Sequence, residues 1–238
     1  MVRATALLAV AVILAVYYAA AIDLPDWKLA WDITFLSLVL IPATFLLPYL
    51  ALPVRRELGA LRLGYAVAAL AAATVVLELA DLELAANFFK LAAVTCAGWW
   101  FLQFFEAVTW VLLVAVLIVP VDIYSVARGP TNQILEDAPR VFDVVSIFFP
   151  IPGEQPLAQL GLPDVLFFAL FLGAAERFAL RVRLTWLLMA LSFGGTLTIA
   201  VAWDVGGLPA LPLLSLAFLI ANGDLIWRSY RREPLIPE

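Results

Sequence analysis

The sequence predicts an all-α polytopic membrane protein of about eight transmembrane helices, and three observations carry that prediction. Of the 238 residues, 65% are hydrophobic and only 14% charged, and the mean hydropathy is +1.04, whereas soluble domains carry roughly 25% charged residues. A chain so short of polar side chains cannot cover a water-facing surface with them, so its surface faces lipid. The apolar residues also fall into eight runs, at approximately 4–22, 33–53, 63–80, 85–103, 106–126, 162–177, 184–203 and 208–227. Crossing the hydrocarbon core takes about 17–25 apolar residues, and the runs are near that length. Finally, the Lys and Arg residues gather at alternate ends of these runs.

The first run follows Arg3 and is longer than the apolar region of a signal peptide, so it reads as a retained span. Runs four and five lie in one stretch, Ala85 to Val126, which as a single helix would be ~63 Å long. That is two spans joined by a tight turn near Gln103 to Glu106. Between runs five and six lies a polar loop, 127–161, in which Val141 to Phe149 (VFDVVSIFF) is β-branched and aromatic and bounded by Pro139 and Pro150. This segment reads as a short strand or part of a hairpin. Run seven ends at Trp203 and Asp204, the chain turns at Gly206-Gly207, and run eight re-enters as Leu208-Pro209-Ala210-Leu211-Pro212. Prolines are tolerated in a first helical turn, where the missing N–H has no partner to lose.

With eight spans, one side of the membrane carries Arg3, Arg55, Arg56, Arg62, Arg177, Arg181, Arg183, Arg228, Arg231 and Arg232, ten of the fourteen basic residues. The other side has Lys28, Lys90, Arg128 and Arg140. The excess of basic residues marks the cytoplasmic side, which places both termini in the cytoplasm, most plainly of a cell membrane, and the 127–161 loop outside.

Several chemistries are excluded at once. There is no histidine and a single cysteine, Cys96, which leaves no disulfide framework, no cysteine or histidine metal site and no Ser-His-Asp triad. A net charge of −5 offers no basic face to nucleic acid. No metal or cofactor is expected, and the lipid bilayer is the one partner that composition alone requires.

Ionisable residues inside spans are costly and mark function by default. Glu78, Lys90, Glu106, Glu176 and Asp224 lie near span ends, within reach of the interface or of a nearby charge such as Arg177 or Arg228. Asp122 and Asp164 differ, because each lies within an apolar run and one external loop joins their spans, so both enter the same leaflet at similar depth. Two carboxylates in contact in a low dielectric share a proton and titrate as a unit. Such a pair can activate water for amide hydrolysis without histidine, cysteine or metal. The same pair can also serve as a proton or ion relay, or as two separate satisfied acids.

The residues around these acids resemble a known family. LGLPD (160–164) before an apolar run is similar to the Gly-x-Gly-Asp signature of the intramembrane aspartyl proteases, the presenilin and signal peptide peptidase family. PALP (209–212) matches that family's Pro-Ala-Leu motif, and VDIYSVARGPTNQIL (121–135) resembles its other catalytic segment, a Tyr-Asp followed by a polar stretch with Gly-Pro. The ordered set covers roughly 105–230. It departs from the pattern at Val121, where the family has Tyr, and at Pro163, where it has the second Gly.

The resemblance implies a presenilin-like fold, with residues 1–104 as an N-terminal scaffold of about four helices and 105–238 as a catalytic region of about four more. It implies Asp122 and Asp164 as the catalytic aspartates. Gly161 and Leu162 would shape the backbone beside Asp164, and Pro209, Ala210 and Leu211 would line the cleft that holds substrate. The substrates implied are single-span membrane helices, such as remnant signal peptides or type II anchors, given the orientation above. A strand that includes Val145 would pair with the unwound substrate. Two other readings are a non-catalytic membrane homologue that binds helices, and a proton- or ion-coupled transporter; the latter commonly shows an internal repeat of broken helices, which the sequence lacks.

Overall fold

The computed structural model describes residues 2–128, 144–203 and 208–232. The helices are α1 (Val2–Ala20), α2 (Leu29–Glu57), α3 (Ala60–Leu79), α4 (Glu83–Phe101), α5 (Val108–Arg128), α6 (Leu162–Arg177), α7 (Val182–Ala202) and α8 (Leu211–Arg232), with strands β1 (Ser146–Ile151) and β2 (Glu154–Gly161) between α5 and α6. Each helix occupies one of the eight apolar runs. The break between runs four and five is real: a 3-10 turn, Leu102–Phe104, ends α4, and α5 begins four residues later.

The protein is multi-pass, but the eight helices are not equivalent. Six of them, α1, α2, α3, α5, α7 and α8, are long and apolar enough to cross a membrane. The other two are α4 and α6. α6 has 16 residues, or ~24 Å of helix, and Val165 together with the whole stretch Phe168 to Ala175 is buried. α4 buries Asn87, Lys90 and Thr95. A helix enclosed by protein is relieved of matching the full hydrocarbon thickness and of being apolar all round. Conversely, Leu8, Val16, Tyr65, Val76, Val116 and Ile220 are exposed on the outer helices, as expected of surfaces bathed in lipid.

Close approach by small residues builds this interior, the usual device where lipid competes with protein for apolar contact. A Cβ added at Gly98 of α4 would lie 2.5 Å from the Leu166 carbonyl oxygen of α6. Likewise, a Cβ at Gly194 of α7 would lie 2.6 Å from the Ser37 carbonyl oxygen of α2. There α2 opens into a π turn, Leu36–Leu40, and Ser37 Oγ donates to the Gly194 carbonyl at 3.0 Å. Aromatic side chains fill the rest: Phe45 lies 4.3 Å from Phe168 and 4.8 Å from Phe193 between ring centroids, and Phe171 stacks on Phe218 at 4.8 Å.

The strand expected over Val141 to Phe149 is displaced toward the C-terminus. Positions 141–143 lie outside the described residues, Val144 and Val145 precede β1, and the strand runs on through Pro150 to Ile151. Its antiparallel partner β2, in register Ser146↔Gly161, Ile147↔Leu160 and Phe148↔Gln159, carries Glu154, Gln155, Pro156 and Gln159 and so lacks the apolar alternation that signals a strand. The hairpin tip docks on the end of α1. Tyr17 Oη donates to the Pro150 carbonyl at 2.9 Å, and Gly153 N–H donates to the Ala21 carbonyl at 2.9 Å. Gly153 has φ +70°, and a Cβ there would run into Asp26 Oδ1 and the Leu24 carbonyl, so both conformation and space require glycine.

Candidate active site

The beginnings of two helices meet the end of a third. In α8 the first intrahelical rung is Leu214 N–H to the Ala210 carbonyl, at 3.1 Å, which makes Ala210 the cap and Leu211 the first helical residue. The Leu211 N–H therefore has no partner in its own helix. It donates to Asp122 Oδ2 of α5 at 3.0 Å, so a carboxylate from one helix caps another at the end where the helix dipole favours negative charge. Pro212 follows in the same first turn, where its missing N–H costs nothing.

Asp164 is placed by a similar device. Gly161 is the N-terminal cap of α6, Pro163 lies in the first turn, and Asp164 is third in the helix. At that position a carboxylate reaches back to the cap residue's N–H, and the Gly161 N–H hydrogen-bonds to the Asp164 carboxyl. Gly161 has φ −61° and ψ 144°, a conformation open to any residue. Space is the reason for glycine here, since an added Cβ would lie 3.3 Å from Asp164 Oδ2. Pro163, the departure from Gly-x-Gly-Asp, fits because its fixed φ is that of a helix start.

The helices that carry the two acids are neighbours: α5 packs against both α6 and α8. Both acids are half-buried, neither makes an ion pair among the described residues, and Pro120, two residues before Asp122, interrupts the hydrogen bonding of α5.

No family model, curated protein or solved structure matches the chain. The site therefore stands on its own geometry.

Of the remaining residues singled out in the sequence, Ala210 and Leu211 are buried and Pro209 and Leu162 half-buried around the pair. Val145 is outside β1. Its carbonyl accepts the Leu162 N–H at 2.9 Å, closing the base of the hairpin, and its side chain is exposed. Val121 is 58% exposed.

Three other intramembrane acids, Glu176, Asp224 and Glu78, are paired, the first two with partners other than those adjacent in sequence, whereas Asp32 of α2 is buried with neither carboxylate oxygen hydrogen-bonded among the described residues. Glu176 pairs with Arg55 (2.7 Å) and Arg56 (2.6 Å) of α2, not with Arg177, which donates instead to the Leu102 carbonyl at 2.8 Å. Asp224 pairs with Arg181 rather than Arg228, one contact being Nη2 to Oδ2 at 2.7 Å, and this carboxylate raises the Arg181 pKa further above its ordinary value. Glu78 pairs with Lys90 at 2.7 Å. Among the described residues no group of three or more His, Cys, Asp or Glu comes together to hold a metal.

Sequence reasoning missed two contributors. Pro120 was visible as a proline inside an apolar run. Asn87, whose amide holds the hairpin, carried no signal at all, because one polar residue near a span end is indistinguishable from an interfacial one.

Proposed function

We propose that this chain is an intramembrane aspartyl endopeptidase of the presenilin and signal peptide peptidase type, which cuts single-span helices such as remnant signal peptides or type II anchors. In this reading it resides in the cell membrane with both termini cytoplasmic. The observation that carries it is the bond between Asp122 and the backbone of the PALP segment at the start of α8, with Asp122 on a helix that also packs against α6, where Asp164 lies in the first turn, and with no ion pair to either acid among the described residues. Glu176, by contrast, is neutralised by two arginines, whereas a reactive pair is kept for water and substrate.

Hydrolysis then needs one carboxylate ionised and the other protonated. The ionised carboxylate takes a proton from water as the water oxygen bonds to the scissile carbonyl carbon, and the protonated one donates its proton to the carbonyl oxygen. The tetrahedral diol collapses when one hydroxyl returns its proton to a carboxylate and the nitrogen receives the other. The C–N bond breaks, an acid and an amine leave, and the pair again holds one proton. Because those protons belong to the pair, activity follows a bell-shaped pH profile with macroscopic limbs.

A helical substrate hides its peptide bonds in its own hydrogen bonds and must be extended first. The hairpin ends at Gly161, three residues before Asp164, so a substrate strand laid along β2 reaches the acids directly. The test is cleavage of a reporter single-span helix by detergent-purified protein, beside Asp122→Asn and Asp164→Asn. Cutting by the wild type that stops in both variants supports the reading; cutting that persists in either overturns the pair.

A further inference from the structure

We propose that Asn87 is a positioning residue that closes one edge of the hairpin and so sets the register in which substrate reaches the aspartates. The inference rests on the protease reading above and goes beyond it.

In an antiparallel pair, residues alternate between those whose backbone groups bond the neighbouring strand and those whose groups point away. Leu162 N–H bonds the Val145 carbonyl, so, counting along the register, the pairs Ile147↔Leu160 and Phe149↔Ala158 face inward. Phe148 therefore directs its N–H and C=O away from β2, toward α4. There Asn87 meets both: Phe148 N–H donates to Asn87 Oδ1 at 2.9 Å, and Asn87 Nδ2 donates to the Phe148 carbonyl at 3.1 Å. A primary amide presents one acceptor and one donor in the same geometry as a peptide group, so Asn87 acts as a one-residue third strand. It is 5% exposed and sits on α4, which Gly98 locks against α6.

Two consequences follow. An exposed strand edge recruits any extended chain, and Asn87 removes that option on β1, leaving β2 as the side on which an unwound substrate can add. Asn87 also ties the hairpin to the helix beside α6, fixing the height of Gly161 relative to α4. Without it, a substrate strand can pair with β1, where no scissile bond reaches the acids, or with a hairpin that has slipped.

The experiment uses the full chain in detergent with a synthetic single-span helix, and reads the bonds cut by mass spectrometry and the exchange of the Phe148 amide in an Asp164→Asn background. Asn87→Ala is expected to free the Phe148 amide, to spread the cuts to bonds two residues away, the repeat of a strand, and to raise KM roughly tenfold with little change in kcat, the scale of one lost buried hydrogen-bonding group. Asn87→Asp keeps the acceptor and loses the donor, so it gives a smaller spread and serves if Asn87→Ala fails to fold. Thr95→Ala, which removes a buried hydroxyl from the same helix, leaves the cut sites unchanged. Cuts at the wild-type bonds in both Asn87 variants, with only a slower rate, overturn the register role while the protease reading stands. A wild type that cuts nothing overturns the protease reading and the register role together, and the exchange of Phe148 then still reports whether Asn87 holds the hairpin.

Discussion

α6 carries an acid at each end, and the two are treated in opposite ways. Glu176 is buried, and its two oxygens face the guanidinium groups of Arg55 and Arg56. Asp164, twelve residues earlier and so ~18 Å away along the helix, has a backbone N–H and no ion pair among the described residues. Burial of a charge is tolerated when it is paired, and Glu176 meets that rule. Asp164 does not, although Arg side chains are available elsewhere in the interior. Under the proposed function, the difference separates an acid that holds helices together from one held ready for chemistry.

The largest effects should come from exchanging these two fates. Asp164→Asn, like Asp122→Asn, should lower cleavage by about 10²–10⁴, the range of general acid–base catalysis, while circular dichroism and the melting profile stay close to wild type. Glu176→Gln should do the reverse. It strands Arg55 in the interior, and breaking one partner of a buried pair costs about 3–5 kcal/mol, read as a lower melting temperature with unchanged activity per folded molecule. If Glu176→Gln instead removed activity at full stability, the division between the two ends of α6 would fail.

How much of this contrast could be read in advance differs between the ends. The eight helices and the turn at 103–106 follow from apolar length and basic-residue alternation, both local properties of the chain, while a shared site for Asp122 and the PALP segment was implied only by the family resemblance. The partners of Glu176 and Asp224 follow from neither. Arg177 directly follows Glu176 and so leaves the helix on a different face, and although Arg228 shares a face with Asp224 at i, i+4, Arg55 and Arg181 arrive from other helices at the correct height. β2 was likewise hidden, because its polar residues and Pro156 conceal a strand that pairs with β1.

Smaller effects should follow from the glycines that let each end form. Gly98→Ala drives a methyl group into the Leu166 carbonyl, 2.5 Å away, and the Ala169 side chain, 2.9 Å away. Overpacking of this kind costs about 1–3 kcal/mol, and thermal melts should register it without any change in the bonds cut. Gly161→Ala leaves the fold alone, since its backbone conformation suits alanine, but its methyl group meets Asp164 Oδ2 at 3.3 Å. Displacing the carboxyl by a few tenths of an ångström should slow kcat by about tenfold, as reacting groups are sensitive to misplacement well below 1 Å. A rate equal to wild type would mean that Asp164 has room to move.

The smallest effects concern the two positions where the chain departs from the protease motifs, and they should run against the motif. Pro163 lies in the first turn of α6, where its fixed φ is already helical and its lost N–H had no partner. Replacing it by glycine restores Gly-x-Gly-Asp yet frees the unfolded chain, and substitutions of this type shift stability by about 0.4–1 kcal/mol; Pro163→Gly should melt slightly lower and cut no faster. Val121→Tyr restores Tyr-Asp, but the side chain at 121 is 58% exposed, so stability should stay within about 0.5 kcal/mol, as for surface substitutions generally, with turnover unchanged. A large gain in rate from Val121→Tyr would show that a ring at this position reaches the bound substrate, and would extend the site from the helix starts onto the outer face of α5.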